Sequence, residues 1–198
     1  QSFDMPNLVS ETVSFLNGLL SEKDITLTVE EDCQNQTYAD PRMVSTVIRN
    51  LLTNAIKFTP MGKGITVKIY DHDEDASREE TCVRVIDQGI GMSSEQINNL
   101  LKGCNYVSTK GTEDEMGLGL GFQIVTDFVK KNNGTIRIES ELNEGTDISV
   151  CFSKSQEQRV NENTSDNQVP VTVNDDELLQ GKSILVVDDD PLLLSHVS

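Results

Sequence analysis

Positive charge is scarce in this sequence: 16 lysines and arginines stand against 33 aspartates and glutamates, a formal net charge of −17 over 198 residues. Such a surface repels nucleic-acid phosphates and anionic membranes, so neither is an expected partner, and a bound nucleotide would need local compensation from a metal or a few lysines. Cysteines are few and scattered. Cys33, Cys82, Cys104 and Cys151 show no C-x-x-C spacing, which predicts reduced thiols acting as small core or surface residues rather than a disulfide framework or a zinc site. Long apolar runs are missing as well: nothing approaches the roughly 20 residues of a membrane span, and the start QSFDMPNLVS has no signal-peptide anatomy. The piece therefore reads as cytoplasmic. Opening on Gln1 and closing on VDDDPLLLSHVS, a fresh strand-like start, it also reads as cut from a longer chain, with any membrane anchor lying outside it.

What is present, 36% hydrophobic and 25% charged residues, suits one soluble domain of about 150 residues with a remainder. Val9, Val13, Leu16 and Leu20 recur at helical spacing and predict an amphipathic helix over 6–20. Ile25, Leu27 and Val29 alternate as a half-buried strand. Asp40 followed by Pro41 is an N-cap with proline at the first helical position, opening a helix that runs to about Phe58. Ile65, Val67 and Ile69 form a strand, and DHDEDASREE (71–80) reads as a solvated acidic loop in which His72 is an exposed loop histidine. A further strand runs over 81–87, a capping box at Ser93 to Gln96 opens a short helix through Leu101, and a polar, aperiodic segment from Lys102 to Met116 has the length of a lid or of a disordered loop. Phe122, Val125 and Phe128 begin another helix, closed by Asn132, Asn133 and Gly134. A hairpin of strands over 135–140 and 146–152 follows, turning at Asn143 to Gly145.

Three stretches carry possible chemistry. MGLGLGFQIV places Gly117, Gly119 and Gly121 at alternate positions directly before a helix, the composition either of a phosphate cradle or of a plain turn. On the helix after Pro41, Asn50, Asn54 and Lys57 fall within about 60° of one another at 100° per residue. That face is either ordinary solvated surface or a metal and phosphate site, since an amide oxygen is a hard neutral Mg²⁺ ligand and a lysine one turn on reaches phosphate. In VIDQGIGM, Asp87 shares the parity of Val83 and Val85 and ends its strand beside Gly89 and Gly91. This is either an Asp-initiated turn or an acceptor for an amino group such as that of adenine.

NLLTNAIKFTP, VIDQGIGM, GLGLGFQIV and GTIRIES with EGTDISVCF, in this order and spacing, resemble the asparagine box and successive glycine boxes of the ATP-binding catalytic domain of sensor histidine kinases. These belong to the GHKL superfamily shared with gyrase, Hsp90 and MutL. The resemblance implies an α+β fold, a two-layer α/β sandwich of the Bergerat type, whose mixed, mostly antiparallel sheet carries helices on one face. It implies ATP and Mg²⁺ as cofactors and transfer of the γ-phosphoryl group to a histidine. By motif position Asn54 holds Mg²⁺, Asn50 faces the phosphates, Lys57 contacts phosphate and Asp87 accepts from adenine; Lys110 is the expected phosphate contact of the 102–116 segment if that segment is a lid. Gly89 and Gly91 shape the base pocket, Gly117, Gly119 and Gly121 hinge the lid, and Thr146 lies near adenine. Gyrase-like ATPases resemble one another in carrying Glu where Asn50 stands, as a general base for water. Asn cannot take a proton, which favours transfer to an acceptor over hydrolysis. The alternatives are a GHKL-type ATPase and a non-catalytic scaffold of the same fold. The segment ahead of the lid, NNLLKGCNYVS, departs from the family's phenylalanine-rich pattern at Leu101 and Cys104. The family's acceptor histidine sits on a dimerisation hairpin, and neither His72 nor His196 has that context. The expected partners are therefore such a hairpin and a receiver domain, with this piece alone monomeric and unable to phosphorylate itself.

The expected organisation is a catalytic domain over 1–152, an acidic flexible linker over 153–180, and over 181–198 the start of a receiver domain, as in a hybrid kinase. KSILVVDDDP resembles the first strand and acidic pocket of such a domain, with Asp188 and Asp189 matching its Mg²⁺-binding pair.

Overall fold

In the computed structural model, residues 1–33, 36–73, 79–101, 121–154 and 183–187 are described. Helix α1 (Met5–Glu22) starts where Asp4 accepts from the Asn7 amide at 2.8 Å and Pro6 occupies the first turn. Helix α2 (Pro41–Phe58) starts the same way: Asp40 accepts from the amides of Arg42 and Met43 at 2.9 and 3.3 Å. In both helices a side chain satisfies amides that have no partner within the helix. Helix α3 (Ser94–Leu101) opens on the expected reciprocal box, with Ser93 N donating to Gln96 Oε1 at 2.8 Å and Gln96 N to Ser93 Oγ at 3.3 Å. Helix α4 (Gly121–Lys131) ends with Asn133, not Gly134, in the left-handed region (φ 52°) while Gly134 N donates to Val129 O. Asparagine is the other residue type that tolerates this turn.

The short strands β1 (Ser2–Phe3) and β3 (Thr37–Tyr38) pair as a small separate sheet. The main sheet has the order β2-β4-β5-β7-β6-β8, from β2 (Thr26–Asp32), β4 (Gly64–Asp73), β5 (Glu79–Asp87), β6 (Thr135–Glu141), β7 (Gly145–Ser153) and β8 (Ser183–Val187). Only β2–β4 is parallel; every other neighbouring pair is antiparallel. Along β5 the period of two sends Val83, Val85 and Asp87 to one face and Glu80, Cys82, Arg84 and Ile86 to the other. Across the ladders the rows Ile69–Val83–Val150–Ile136 and Val67–Val85–Ile148–Ile138 line the first face. They share one core with Val44, Ile48, Leu51, Leu52 and Ala55 of α2 and with Phe122, Val125 and Val129 of α4. This is the expected α/β sandwich with helices on one face.

Several expectations need correcting. Cys82 and Cys151 are joined by a disulfide, not reduced: they are directly opposite in the β5–β7 register, with Cα atoms 4.0 Å apart. Pairing of two distant strands brought them together, which spacing along the chain could not reveal. Cys33 is half-buried against the core. The acidic loop is shorter than predicted, because β4 continues through Asp73 and β5 begins at Glu79. His72 is accordingly a half-buried strand residue opposite Glu80, with its ring edge-on to Tyr70, rather than an exposed loop histidine. Strand β7 runs through Ser153, one residue into the segment expected to be linker, and Lys154 N donates to Glu79 O. Residues 183–187 add an edge strand to β6. Asp188, Asp189, Lys110, Gly117 and Gly119, the expected lid and most of the linker lie outside the described residues.

Candidate nucleotide site

The row beyond the apolar ones on the helix-covered face runs Leu27–Ile65–Asp87–Thr146–Ser140. Here polar groups replace aliphatic ones where the sheet ends. Asp87 Oδ1 accepts from Gly89 N at 2.8 Å and from Thr146 N at 3.2 Å. Both of these bonds fall on one oxygen, Oδ1. Burial pushes the Asp87 carboxyl up from 3.8 to about 6, against the lowering effect of the two amides. At neutral pH it is an anion held in a partly desolvated place, where a charge-assisted bond to an amino group is strong.

Ser140 closes this end of the row. Its hydroxyl donates to Gly145 O at 2.8 Å, lies 3.0 Å from Thr146 Oγ1 and accepts from Met92 N at 2.8 Å. The turn after Asp87 is fixed from two sides, by Ile90 N to Phe58 O (3.2 Å) and by Asn143 N to Ile90 O (2.8 Å). At Gly91 (φ 64°) an added Cβ would lie 1.9 Å from Glu141 O, so only glycine lets the turn meet the β6–β7 hairpin.

Phe58 is the last residue of α2, so this turn is tied directly to the helix carrying the predicted polar face. Asn50, Asn54 and Lys57 are all half-buried there, beside an otherwise buried helix flank. Asn50 Nδ2 donates to Thr46 O at 2.7 Å, which leaves Oδ1 turned toward the start of α4. An added Cβ on Gly121 would lie 2.8 Å from that oxygen, so the first residue of α4 and Asn50 are in close approach. The Lys57 ammonium lies 4.9 Å over the Phe58 ring. A buried lysine supports the helix end from behind: Lys23 Nζ donates to Ile56 O at 2.9 Å and Lys57 O at 3.1 Å. At the other end Asn132 Oδ1 accepts from Asp40 N at 2.7 Å, joining the last turn of α4 to the start of α2.

The structure thus brings Asn50 to Gly121, and Asp87 to Gly89, Gly91 and Thr146, with α2 linking the two groups. Sequence reasoning missed Ser140, Lys23 and Asn132. Ser140 was within reach, since a tight turn at Asn143 to Gly145 sets it opposite Thr146; Lys23 and Asn132 act through tertiary contacts that no local pattern announces. On the opposite sheet face, a polar depression is lined by Tyr70, Arg84, Arg137, Glu139, Asp147 and Ser149. Arg84 holds both Asp147 oxygens through Nε at 2.8 and 2.9 Å, and Arg137 pairs with Glu139 at 3.3 Å, so its charges are mutually satisfied.

The donor set fits a nucleotide and a hard cation. A partly desolvated carboxylate ends the polar row, Asn50 and Asn54 bring neutral amide oxygens to α2, and backbone approaches closely at Gly91 and Gly121. Among the described residues, no helix is long and apolar enough to cross a membrane.

A profile described as "Histidine kinase-, DNA gyrase B-, and HSP90-like ATPase" matches residues 39–156, more than half of the chain. The chain is 28% identical over 193 residues to "Sensor protein EvgS" of Escherichia coli (strain K12), covering 96% of this chain and 16% of that protein. It is 36% identical over 113 residues to "Histidine protein kinase DivJ" of Caulobacter vibrioides, covering 57% of this chain and 18% of that protein. Among solved structures, the catalytic domain of histidine kinase ThkA superposes with TM-score 0.65 at 21% identity, covering 80% of this chain and 98% of that one. Mycobacterial sensor histidine kinase MprB gives 0.62 at 22%, covering 77% and 96%.

Proposed function

Because the chain belongs to the family of histidine kinase-, DNA gyrase B- and HSP90-like ATPases, we propose that it is the ATP-binding catalytic domain of a two-component, hybrid histidine kinase. Its reaction is transfer of the ATP γ-phosphoryl group to a histidine on a separate dimerisation hairpin. The observation that carries the reading is Asp87, a half-buried carboxylate with one oxygen fixed by Gly89 and Thr146. It accepts from the exocyclic amine of adenine, while Gly89, Gly91 and Thr146 shape the base pocket. Asn50, Asn54 and Lys57 then stand along α2 toward the phosphates, and Gly121 admits backbone beside Asn50. Lys110, Gly117 and Gly119 join the same site by their sequence positions. A Mg²⁺ ion held with ATP by Asn54 supplies charge neutralisation. Everything else asked of the protein is positioning, which a loose phosphoryl transition state rewards. Asn50 has no proton-accepting group, so water is not activated and the acceptor comes from another domain.

In the same reading residues 153–180 are a linker, and 181–198 begin a receiver domain in which Asp188 and Asp189 help to hold Mg²⁺. The parent chain acts in the cytoplasm. Mixing this chain with a dimerisation hairpin and Mg-ATP should yield acid-labile phosphohistidine on the hairpin. Absence of transfer at saturating ATP would refute kinase function, and fast steady-state ATP turnover by this chain alone would favour the hydrolase instead.

A further inference from the structure

The face of the sheet turned away from Asp87 carries a second constellation. Glu80 and Cys82 are two apart on β5 and so share that face, and Cys151 of β7 lies directly opposite Cys82. Their ligand atoms, one carboxylate oxygen and two sulfurs, lie within 4.8 Å of one another. All three residues are buried, at 7%, 0% and 8% exposure. A thiophilic divalent cation uses all three: thiolates select zinc-class d¹⁰ ions, and such ions also accept carboxylate oxygen. Three anionic ligands around one dication also offset the cost of holding a carboxylate away from water. His72 lies opposite Glu80 in the β4–β5 ladder.

We infer that Glu80, Cys82 and Cys151 form a redox-gated site for a zinc-class cation, closed as the disulfide and opened by reduction. The balance is simple. A low-molecular-weight thiol attacks the disulfide, and two equivalents leave as their own disulfide while Cys82 and Cys151 become thiols. The cation then displaces two protons, one from each thiol, and binds without change of its own oxidation state. Because Asp87, Thr146 and the α2 amides lie on the other face, the cation does not compete with Mg-ATP.

The test uses this chain with Cys33→Ser and Cys104→Ser, which leaves only the two relevant sulfurs. After reduction with a phosphine, Cd²⁺ should give a thiolate-to-metal charge-transfer band saturating at one equivalent. Excess Zn²⁺ should abolish the band, as should prior oxidation with a low-molecular-weight disulfide. Glu80→Gln should weaken binding about tenfold or more, the scale of losing even an outer-shell partner. Cys82→Ser and Cys151→Ser should each remove the band. No band in the reduced parent, or a band that survives Cys82→Ser, overturns the inference. A readout that needs no variant of the cluster guards against misfolding: one equivalent of Cd²⁺ should protect Cys82 and Cys151 of the parent from maleimide labelling. Undiminished labelling of both would likewise sink the proposal.

Discussion

Replacing Asp87 by Asn should make the protein more stable and useless at once. The carboxyl has its pKa raised from 3.8 to about 6, with burial as the leading cause. A group whose folded pKa lies above its unfolded one holds its proton more tightly in the native state, so ionising it costs stability. That cost is absent below about pH 4, grows between pH 4 and 6, and is complete above 6. A shift of 3.8 to about 6, at 1.36 kcal/mol per unit, corresponds to about 3 kcal/mol at pH 7. The shift already contains the two amide bonds to Oδ1, and an Asn carbonyl can keep accepting both. The amide therefore resembles the protonated acid, and the variant without nucleotide should gain up to about 3 kcal/mol at pH 7, several degrees in Tm. The gain should vanish near pH 4. With Mg-ATP the gap closes: wild type at 100-fold its Kd gains about 2.7 kcal/mol, and the variant gains nothing. Scanning-fluorimetry melts from pH 4 to 8, with and without Mg-ATP, read every part of this. A variant that melts below wild type at pH 7 without ligand, or an advantage that is the same at pH 4 and 7, would refute the account of Asp87 as a destabilised carboxylate retained for its ligand.

Other substitutions probe the supports. Lys23→Met removes a buried cation that donates to the carbonyls of Ile56 and Lys57; it should cost about 2 kcal/mol in urea unfolding and raise the Kd for nucleotide by loosening the end of α2. Gly91→Ala must relieve a 1.9 Å approach to Glu141 O at φ 64°; it should cost more than about 2 kcal/mol, and a variant melting like wild type would contradict the turn's geometry. Reducing the Cys82–Cys151 disulfide, which spans 69 residues, should lower metal-free stability by roughly 4 kcal/mol on the loop-entropy account, an effect lost in Cys82→Ser. Asn54→Asp adds an anion where the proposed site would hold the phosphates and should abolish the Mg-ATP-dependent melting shift while leaving the melt without nucleotide near wild type.

Much of this fold was legible because its elements announce themselves locally. Asp40-Pro41 and the Ser93–Gln96 box fix two helix starts, and the alternation of Ile65, Val67 and Ile69 and of Val83, Val85 and Asp87 fixes the faces of β4 and β5. Asp87 was legible too, since its parity with Val83 and Val85 places it on the core face before any coordinates exist. What escaped depends on partners far away in the chain. Cys82 and Cys151 look isolated until β5 and β7 pair, and Ser140 looks like a surface serine until the hairpin register sets it against Thr146. Lys23 reads as an ordinary charge after α1, and only the packing of α1 on α2 turns it into a helix cap. The acidic run over 71–80 misled for a different reason: composition says solvated loop, but ladder hydrogen bonding to a neighbour carries β4 to Asp73 regardless of charge.

The sheet's period of two also explains how one strand can carry both proposed sites without conflict. Moving one residue along β5 changes face, so Val83, Val85 and Asp87 belong to the helix-covered layer while Glu80 and Cys82 belong to the other. The β5–β7 ladder repeats the division, with Asp87 opposite Thr146 and Cys82 opposite Cys151. Five residues of strand separate these pairs, roughly 17 Å at 3.3 Å per residue, and an antiparallel ladder pinned along its length has no second arrangement to switch into. Energetic coupling needs an element with two states that both ligands bias. A cation at Glu80, Cys82 and Cys151 and a nucleotide at Asp87 should therefore stabilise the fold additively, each strengthening the same two strands from its own side of the sheet.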